Sequence, residues 1–263
     1  MNVNETNASS SMTPAAKHLH NALMTLQELG NTKEILSRLA AKDRTRIEKD
    51  WFALWARGDQ KPPPGDWRSW LILGGRGAGK TRAGAEWVKA RATGQGIATG
   101  PLARRIAIVA PTFDEARMVM IEGVSGLLAV HDESWRPVFE SSKRLLTWPN
   151  GCVAQVFTAE EPDGLRGPQF DAAWCDELAK WKQGENVWNM LQFALRLGEN
   201  PQAVITTTPR PIALLKRLLA DDGTVTSRAT TFDNSRNLAK PFLAGVLKHY
   251  GGTKLGRQEF VGE

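Results

Sequence analysis

Leu71-Ile72-Leu73-Gly74-Gly75-Arg76-Gly77-Ala78-Gly79-Lys80-Thr81 carries the reading of this chain. An apolar run of strand type leads into a glycine, four free positions and then Gly-Lys-Thr, which is the spacing of a phosphate-binding loop. Glycines leave room for successive backbone N–H groups to turn inward around phosphate oxygens, where side chains would obstruct them. The helix expected to begin near Lys80 offers its positive end to the same anion. Gly74, Gly75, Arg76, Gly77, Ala78, Gly79, Lys80 and Thr81 therefore make the candidate nucleotide cradle. Lys80 is expected to reach the β- and γ-phosphates of ATP, and the Thr81 hydroxyl to hold Mg2+.

Outward from the loop, strands and helices alternate. Trp70–Gly74 reads as a first strand and Thr81–Ala92 as a first helix, followed by a strand over Arg105–Pro111 and a helix around Asp114–Ile121. Pro149-Asn150-Gly151-Cys152 is a strong turn signal, so its flanks Leu145–Trp148 and Val153–Phe157 read as a hairpin. Phe170–Cys175 and Ala203–Thr207 are two further strands, with a Trp-bearing helical stretch between them. The order predicts an α/β fold of P-loop NTPase type, a mainly parallel sheet flanked by helices. Residues 1–13, rich in Asn, Ser and Thr, are expected to be disordered. Residues 14–60 place Leu23, Leu26, Ile35, Leu36, Leu39 and Ile47 at helical spacing and read as a small N-terminal helical region. Lys61-Pro62-Pro63-Pro64-Gly65 is a stiff connector into an ATPase core over 61–210. From 211 to 263, two helical stretches (Ile212–Leu219, Pro241–Tyr250) and a short strand near Thr226–Thr231 read as a lid or linker subdomain.

A phosphate loop needs a carboxylate for its metal, at the end of a buried strand. Phe170-Asp171-Ala172-Ala173-Trp174-Cys175-Asp176-Glu177 supplies a mostly apolar run and two adjacent acids. Asp176 is expected to hold Mg2+ through water, and Glu177 to polarise the attacking water. The same pair also suits the start of a helix. Thr206, Thr207 and Thr208 end a later apolar strand before Pro209, at the sheet edge that faces ligands in such folds, and could sense the γ-phosphate. Phosphoryl transfer calls for further positive charge at its transition state. Arg76 within the loop is one candidate. Arg166 in Gly164-Leu165-Arg166-Gly167-Pro168 is another, on an exposed loop from which it could reach a neighbouring subunit. Gln60 is a candidate reader of the adenine edge.

Composition agrees with this class. Across 263 residues, 41% are hydrophobic and 24% charged, which suits a globular core with a wet surface. No window approaches the ~18 uninterrupted apolar residues of a membrane span. The net charge of +6 and a pI near 9.5 point to a polyanionic partner. Much of the excess lies late: nine Lys/Arg against five Asp/Glu from Pro209 onward, a net of +4. Cys152 and Cys175 sit in apolar runs and read as buried free thiols; His18, His20, His131 and His249 form no ligand pattern. A helicase-like translocase shares the loop but would need a second motor domain, for which about 180 residues past the loop leave no room. A small-molecule kinase gives no reason for adjacent Asp-Glu.

Trp67-Arg68-Ser69-Trp70 leading into the loop resembles the phosphate-loop region of large terminase subunits, the DNA-packaging motors of tailed bacteriophages and gene transfer agents. So do Gly164-Leu165-Arg166-Gly167, the Asp176-Glu177 strand, Thr206-Thr207-Thr208-Pro209, and the late stretch Tyr250-Gly251-Gly252-Thr253-Lys254-Leu255-Gly256-Arg257-Gln258-Glu259. The resemblance runs from about Trp51 to the last residue. It implies an additional-strand catalytic-glutamate ATPase that works as a homo-oligomeric ring, commonly a pentamer on the portal protein and possible as a monomer in isolation. Such a ring pushes double-stranded DNA into a procapsid after a small terminase subunit selects the DNA, in the host cytoplasm and without a membrane. By similarity, Arg166 matches a finger acting in trans and Arg76 one acting in cis. Family members usually carry a C-terminal nuclease, which would start where this sequence stops. ATP hydrolysis without DNA cleavage is therefore the expectation, from a shortened form or a split gene product.

Overall fold

The computed structural model describes residues 51–95, 101–250 and 252–262. The stretch expected to be disordered, 1–13, and most of the expected helical region lie outside the described residues. Two units compose the chain, 1–61 and 62–263. In the described part of the first, a turn of π-helix (Trp51–Trp55) precedes a 3-10 turn (Gly58–Gln60), and Arg57 pairs with Asp59 at 2.9 Å.

The second unit is built on one eight-stranded sheet. Its strands are β1 (Ser69–Gly74), β2 (Arg105–Ala110), β3 (Val138–Glu140), β4 (Leu145–Thr147), β5 (Val153–Thr158), β6 (Ala172–Asp176), β7 (Gln202–Thr207) and β8 (Thr224–Ala229). They lie in the order β3-β4-β5-β2-β6-β7-β1-β8. β5, β2, β6, β7, β1 and β8 run parallel, while β3 and β4 add an antiparallel edge. The expected Asn150-Gly151 hairpin joins β4 to β5, with Gly151 at φ +83 and the Asn150 side-chain oxygen accepting from the Cys152 N–H.

β1, β6 and β7 are buried at every residue, as central parallel strands covered on both faces must be. Because side chains alternate across a strand, neighbours in sequence serve opposite layers. Leu71, Leu73, Val109, Cys175 and Ile205 form one core with α2 (Gly184–Ala194) and α3 (Ala213–Leu219). Trp174 faces the other way, against α1 (Lys80–Thr93), which crosses so closely that a Cβ on Gly84 would run into the indole. Only glycine admits that approach.

The late strand is not confined to a lid. β8 pairs in parallel with β1 along its whole length, so the segment from 211 contributes an edge strand to the main sheet. Its sequence, Thr-Val-Thr-Ser-Arg-Ala, is half-buried and mostly polar, as an edge position allows. A 3-10 turn (Phe232–Asn237), α4 (Lys240–Tyr250) and a π-turn (Arg257–Val261) follow.

Both cysteines are buried free thiols, and burial pushes Cys152 up to about 12. His131 turns out to be a core group. Trp148 Nε1 donates to its Nε2 at 2.9 Å, and its Nδ1 donates to the Leu127 carbonyl at 2.6 Å, which fixes the neutral tautomer. Burial, aided by Lys89, lowers its pKa from 6.5 to about 4. The unfolded chain binds this proton first, so the contribution to stability is full above pH 6.5 and is lost as pH falls towards 4. On the order of 3 kcal/mol is involved. In denaturant titrations, the advantage of the native chain over His131→Gln should shrink by that amount between about pH 7 and pH 4. A constant gap would show that His131 is not the titrating group.

Candidate functional site

The loop between β1 and α1 takes a form that its glycines permit. Gly77 and Gly79 have φ of +77 and +89, in the left-handed region that side chains disfavour. Gly75 admits close packing instead: a Cβ there would lie 2.5 Å from the Phe260 carbonyl oxygen and 2.6 Å from Thr231 Oγ1. Gly79 caps α1, which begins at Lys80. Lys80 is 8% exposed and folds back on its own loop. Its Nζ donates to the Gly74 and Gly75 carbonyls at 2.9 and 3.0 Å and to Thr208 Oγ1 at 3.3 Å. Burial lowers its pKa, against the opposing pull of Glu177 and Asp176.

The acids stand two strands away, because β7 runs between β1 and β6. Asp176 ends β6 in register with Thr206, whose hydroxyl donates to Asp176 Oδ1 at 2.5 Å while accepting from Trp174 Nε1 at 2.9 Å. Burial raises Asp176 to about 7; the Thr206 hydrogen bond works against that shift and Glu177 adds to it. Glu177 occupies φ 48, ψ 43, a left-handed backbone rare outside glycine. Its N–H donates to the Thr206 carbonyl at 2.6 Å and its own carbonyl accepts from the Lys180 N–H. Strained backbone of this kind persists only where surrounding contacts impose it, and it concentrates at functional sites. Here it turns the chain sharply between the strand and the Leu178–Lys180 turn, where a straight continuation would extend the strand.

One cavity of about 850 Å3 brings these parts together. Arg76, Gly77, Gly79, Lys80 and Thr81 line it, opposite Asp176 and Glu177, with Thr208 between. The three threonines have distinct places. Thr206 serves Asp176, Thr207 Oγ1 accepts from the Ala179 N–H at 3.1 Å, and Thr208 reaches the cavity and Lys80. Arg76 lies at the rim, 71% exposed, its guanidinium 3.5 Å from Glu259. Its backbone N–H donates to the Glu259 carbonyl at 2.5 Å and its carbonyl accepts from Thr231 Oγ1 at 2.7 Å. Arg166 is not among the lining residues; it is 73% exposed on its loop and pairs with Asp163 at 3.4 Å. Gln60 belongs to the first unit, where its Oε1 accepts from the Arg57 N–H at 3.2 Å.

Several lining groups were not singled out in the sequence. Glu115, on the turn after β2, faces Lys180 at 3.9 Å, and its Oε2 is buried without a hydrogen-bond partner among the described residues. Arg210 follows the threonine strand end after one proline, Pro209. Asn234 donates to the Gly77 carbonyl at 2.7 Å, and Leu238 stands over Gly77. Position after a strand end could have flagged Glu115 and Arg210. Asn234, Leu238 and Glu259 arrive only by tertiary folding.

The arrangement can hold a polyphosphate between backbone N–H groups, Lys80 and the start of α1, with a fixed acid close to its terminal end.

The model of the family "Terminase large subunit, T4likevirus-type, N-terminal" matches residues 71–263. No protein with a curated description matches the chain. Among solved structures, the large terminase ATPase domain of Thermus phage P74-26 aligns with a TM-score of 0.55 at 15% identity, over 77% of this chain and 94% of that one. The large terminase of a thermophilic bacteriophage aligns with a TM-score of 0.61 at 17% identity, over 86% of this chain and 54% of that one. The complex of that terminase with ATP-gamma-S aligns at 0.55 and 13%, over 83% of this chain and 51% of that one. This chain thus spans about half the length of that relative's chain. At these identities the solved structures speak to the fold alone: a mixed α/β domain, here a mostly parallel eight-stranded sheet flanked by helices, with which a P-loop type is consistent.

Proposed function

Because this chain belongs to the large terminase subunit family, we propose that it is an ATP-hydrolysing motor domain that drives double-stranded DNA into a procapsid. The observation that carries the reading is the convergence of Lys80, Asp176 and the left-handed Glu177 on one cavity. The large terminase of that thermophilic bacteriophage was solved with ADP and with ATP-gamma-S, which supports a nucleotide as the ligand here.

ATP would lie with its phosphates on the Gly74–Thr81 loop. Lys80 exchanges its loop carbonyls for β- and γ-phosphate oxygens. Glu177 takes a proton from water as the water oxygen bonds to the γ-phosphorus; the bond to the β,γ-bridging oxygen breaks and ADP leaves. Residues that would hold Mg2+ are Thr81 and Asp176. The fit is one of donor chemistry: the buried Asp176 carboxyl and the Thr81 hydroxyl line the same cavity, and both are the oxygen donors that Mg2+ takes. Bound there, Mg2+ supplies charge that offsets the phosphate oxygens.

Coupling would run through β7. Thr208 touches Lys80, while Thr206 and Thr207 tie the same strand to Asp176 and to Ala179 beyond Glu177. Loss of the γ-phosphate would thus be felt at both ends of the site. The exposed Arg166 suits a finger that enters the site of a neighbouring subunit in a homo-oligomeric ring, and Arg76 one that acts within its own. The net charge of +4 beyond Pro209 supports a DNA-facing surface. Portal protein and small terminase subunit complete the partners expected in the host cytoplasm.

The test is steady-state ATP hydrolysis with and without double-stranded DNA. Hydrolysis that needs no small-molecule acceptor, and that DNA alters, is the expected result. Turnover dependent on a small acceptor would sink the motor reading. In the same assay, mixing Arg166→Ala with Lys80→Ala chains should restore part of the activity if the finger crosses subunits; no recovery would leave Arg76 as the candidate.

A further inference from the structure

Five cations line the cavity: Arg76, Lys80, Arg82, Lys180 and Arg210. Four are engaged. Arg76 faces Glu259 at 3.5 Å, Lys80 holds two loop carbonyls and Thr208, Arg82 is 2.7 Å from Glu86, and Lys180 stands 3.9 Å from Glu115. Arg210 alone has no ion pair or side-chain hydrogen bond among the described residues, although the wall it belongs to carries Glu115, Asp176, Glu177 and Glu259. Arg210 is exposed on that wall, so its guanidinium can meet a ligand without giving up a protein contact.

Its position says which part of the ligand. Arg210 lies on the segment that leaves the end of β7, the strand between the phosphate-loop strand and the acid strand. Two residues earlier, Thr208 already contacts Lys80 Nζ. The segment therefore emerges between Lys80 and Glu177, the groups that would bracket the terminal phosphate. Pro209 and Pro211 flank the arginine and restrict its backbone, and the Arg210 carbonyl accepts from the Ile212 N–H at 2.7 Å. Little backbone freedom remains to be lost when the side chain binds. A guanidinium fork also matches two phosphate oxygens at once, which an ammonium cannot.

We propose that Arg210 is a cis-acting catalytic residue that binds the terminal phosphate of ATP in its own chain's site. The proposal rests on the nucleotide reading above and adds a third arginine to Arg76 and Arg166. Arg210 neutralises charge on the transferring phosphoryl oxygens and leaves the ADP moiety to the loop.

The experiment measures ATP-gamma-S and ADP affinity by calorimetry, together with ATP turnover, for the native chain, Arg210→Ala and Arg210→Lys. Arg210→Ala should weaken ATP-gamma-S about 10- to 100-fold, the range for losing a charge-assisted hydrogen bond, and leave ADP within about twofold. Its kcat should fall at least as far, and Arg210→Lys should recover part of both. A native chain that binds neither nucleotide overturns the ATPase reading and this proposal together. A native chain that hydrolyses ATP beside an Arg210→Ala chain with native affinity and turnover overturns this proposal alone. Equal weakening of ADP and ATP-gamma-S overturns the terminal-phosphate assignment. Native nucleotide affinity with lost DNA stimulation overturns it in favour of a DNA contact.

Discussion

Glu177→Gln is expected to lower kcat for ATP hydrolysis by about 10²–10⁴, the usual contribution of a positioned general base, while ATP affinity changes by less than about threefold. The amide keeps the size of the side chain and its left-handed backbone, and cannot accept the water proton. Binding survives because the loop N–H groups, Lys80 and the start of α1 carry the phosphates. In free-energy terms the barrier rises by roughly 3–5 kcal/mol. Glu115→Gln is the informative control, since Glu115 lines the same cavity and has a buried oxygen without a partner among the described residues. Its effect should stay below about tenfold, because Glu115 faces Lys180 at 3.9 Å and does not share the β6 strand end that carries Asp176 and Glu177. If Glu177→Gln turns over normally and Glu115→Gln does not, the base is Glu115.

The largest expected effect on stability comes from Trp174. Its side chain is fully buried between α1 and the sheet, and its Nε1 donates to Thr206 Oγ1. Trp174→Ala should cost about 3–5 kcal/mol through lost burial and the cavity left behind. For a unit of this size that corresponds to a drop in Tm on the order of 10 °C by thermal denaturation. Turnover should fall too, because Thr206 would lose the partner that orients its bond to Asp176. The pairing with Gly84 sharpens the test. Gly84→Ala alone should cost about 1–3 kcal/mol, since its methyl would collide with the indole. In the Trp174→Ala background the same change fills space and should become neutral or stabilising. Additive effects would mean that the two residues do not meet as described.

Legibility varied along the chain for identifiable reasons. β1, β2, β6 and β7 were readable because central parallel strands must be apolar on both faces, and the turn at Asn150-Gly151 because its backbone demands glycine. β3 escaped notice: Val138-Phe139-Glu140 is three residues on an outer edge, too short for a pattern. β8 read as part of a lid because its alternation is weak, and nothing local says that it lies beside β1. At the site, Lys80, Thr81, Asp176 and Glu177 sit in contiguous motifs and line one cavity. Arg76 and Arg166 look equally plausible in one dimension. In three, one stands at the cavity rim against Glu259, and the other lies apart on an exposed loop.

By itself, the sequence determined the parts whose physics is local. Glycines shape the loop after β1, a helix starts at Lys80, and a buried strand leads into two acids. What only the tertiary structure decided is which distant groups share that loop's surroundings. Thr231, Asn234 and Glu259 reach the loop's backbone from more than a hundred residues away. Arg210 has no ion pair on the cavity wall among the described residues, although an arginine between two prolines looks unremarkable in sequence. The conformation of a glycine turn or a helix start follows from neighbours within a few residues, whereas which distant groups meet at the loop depends on how the strands are ordered. The strand order here, with β7 between the loop and the acids, was set by packing across the whole sheet.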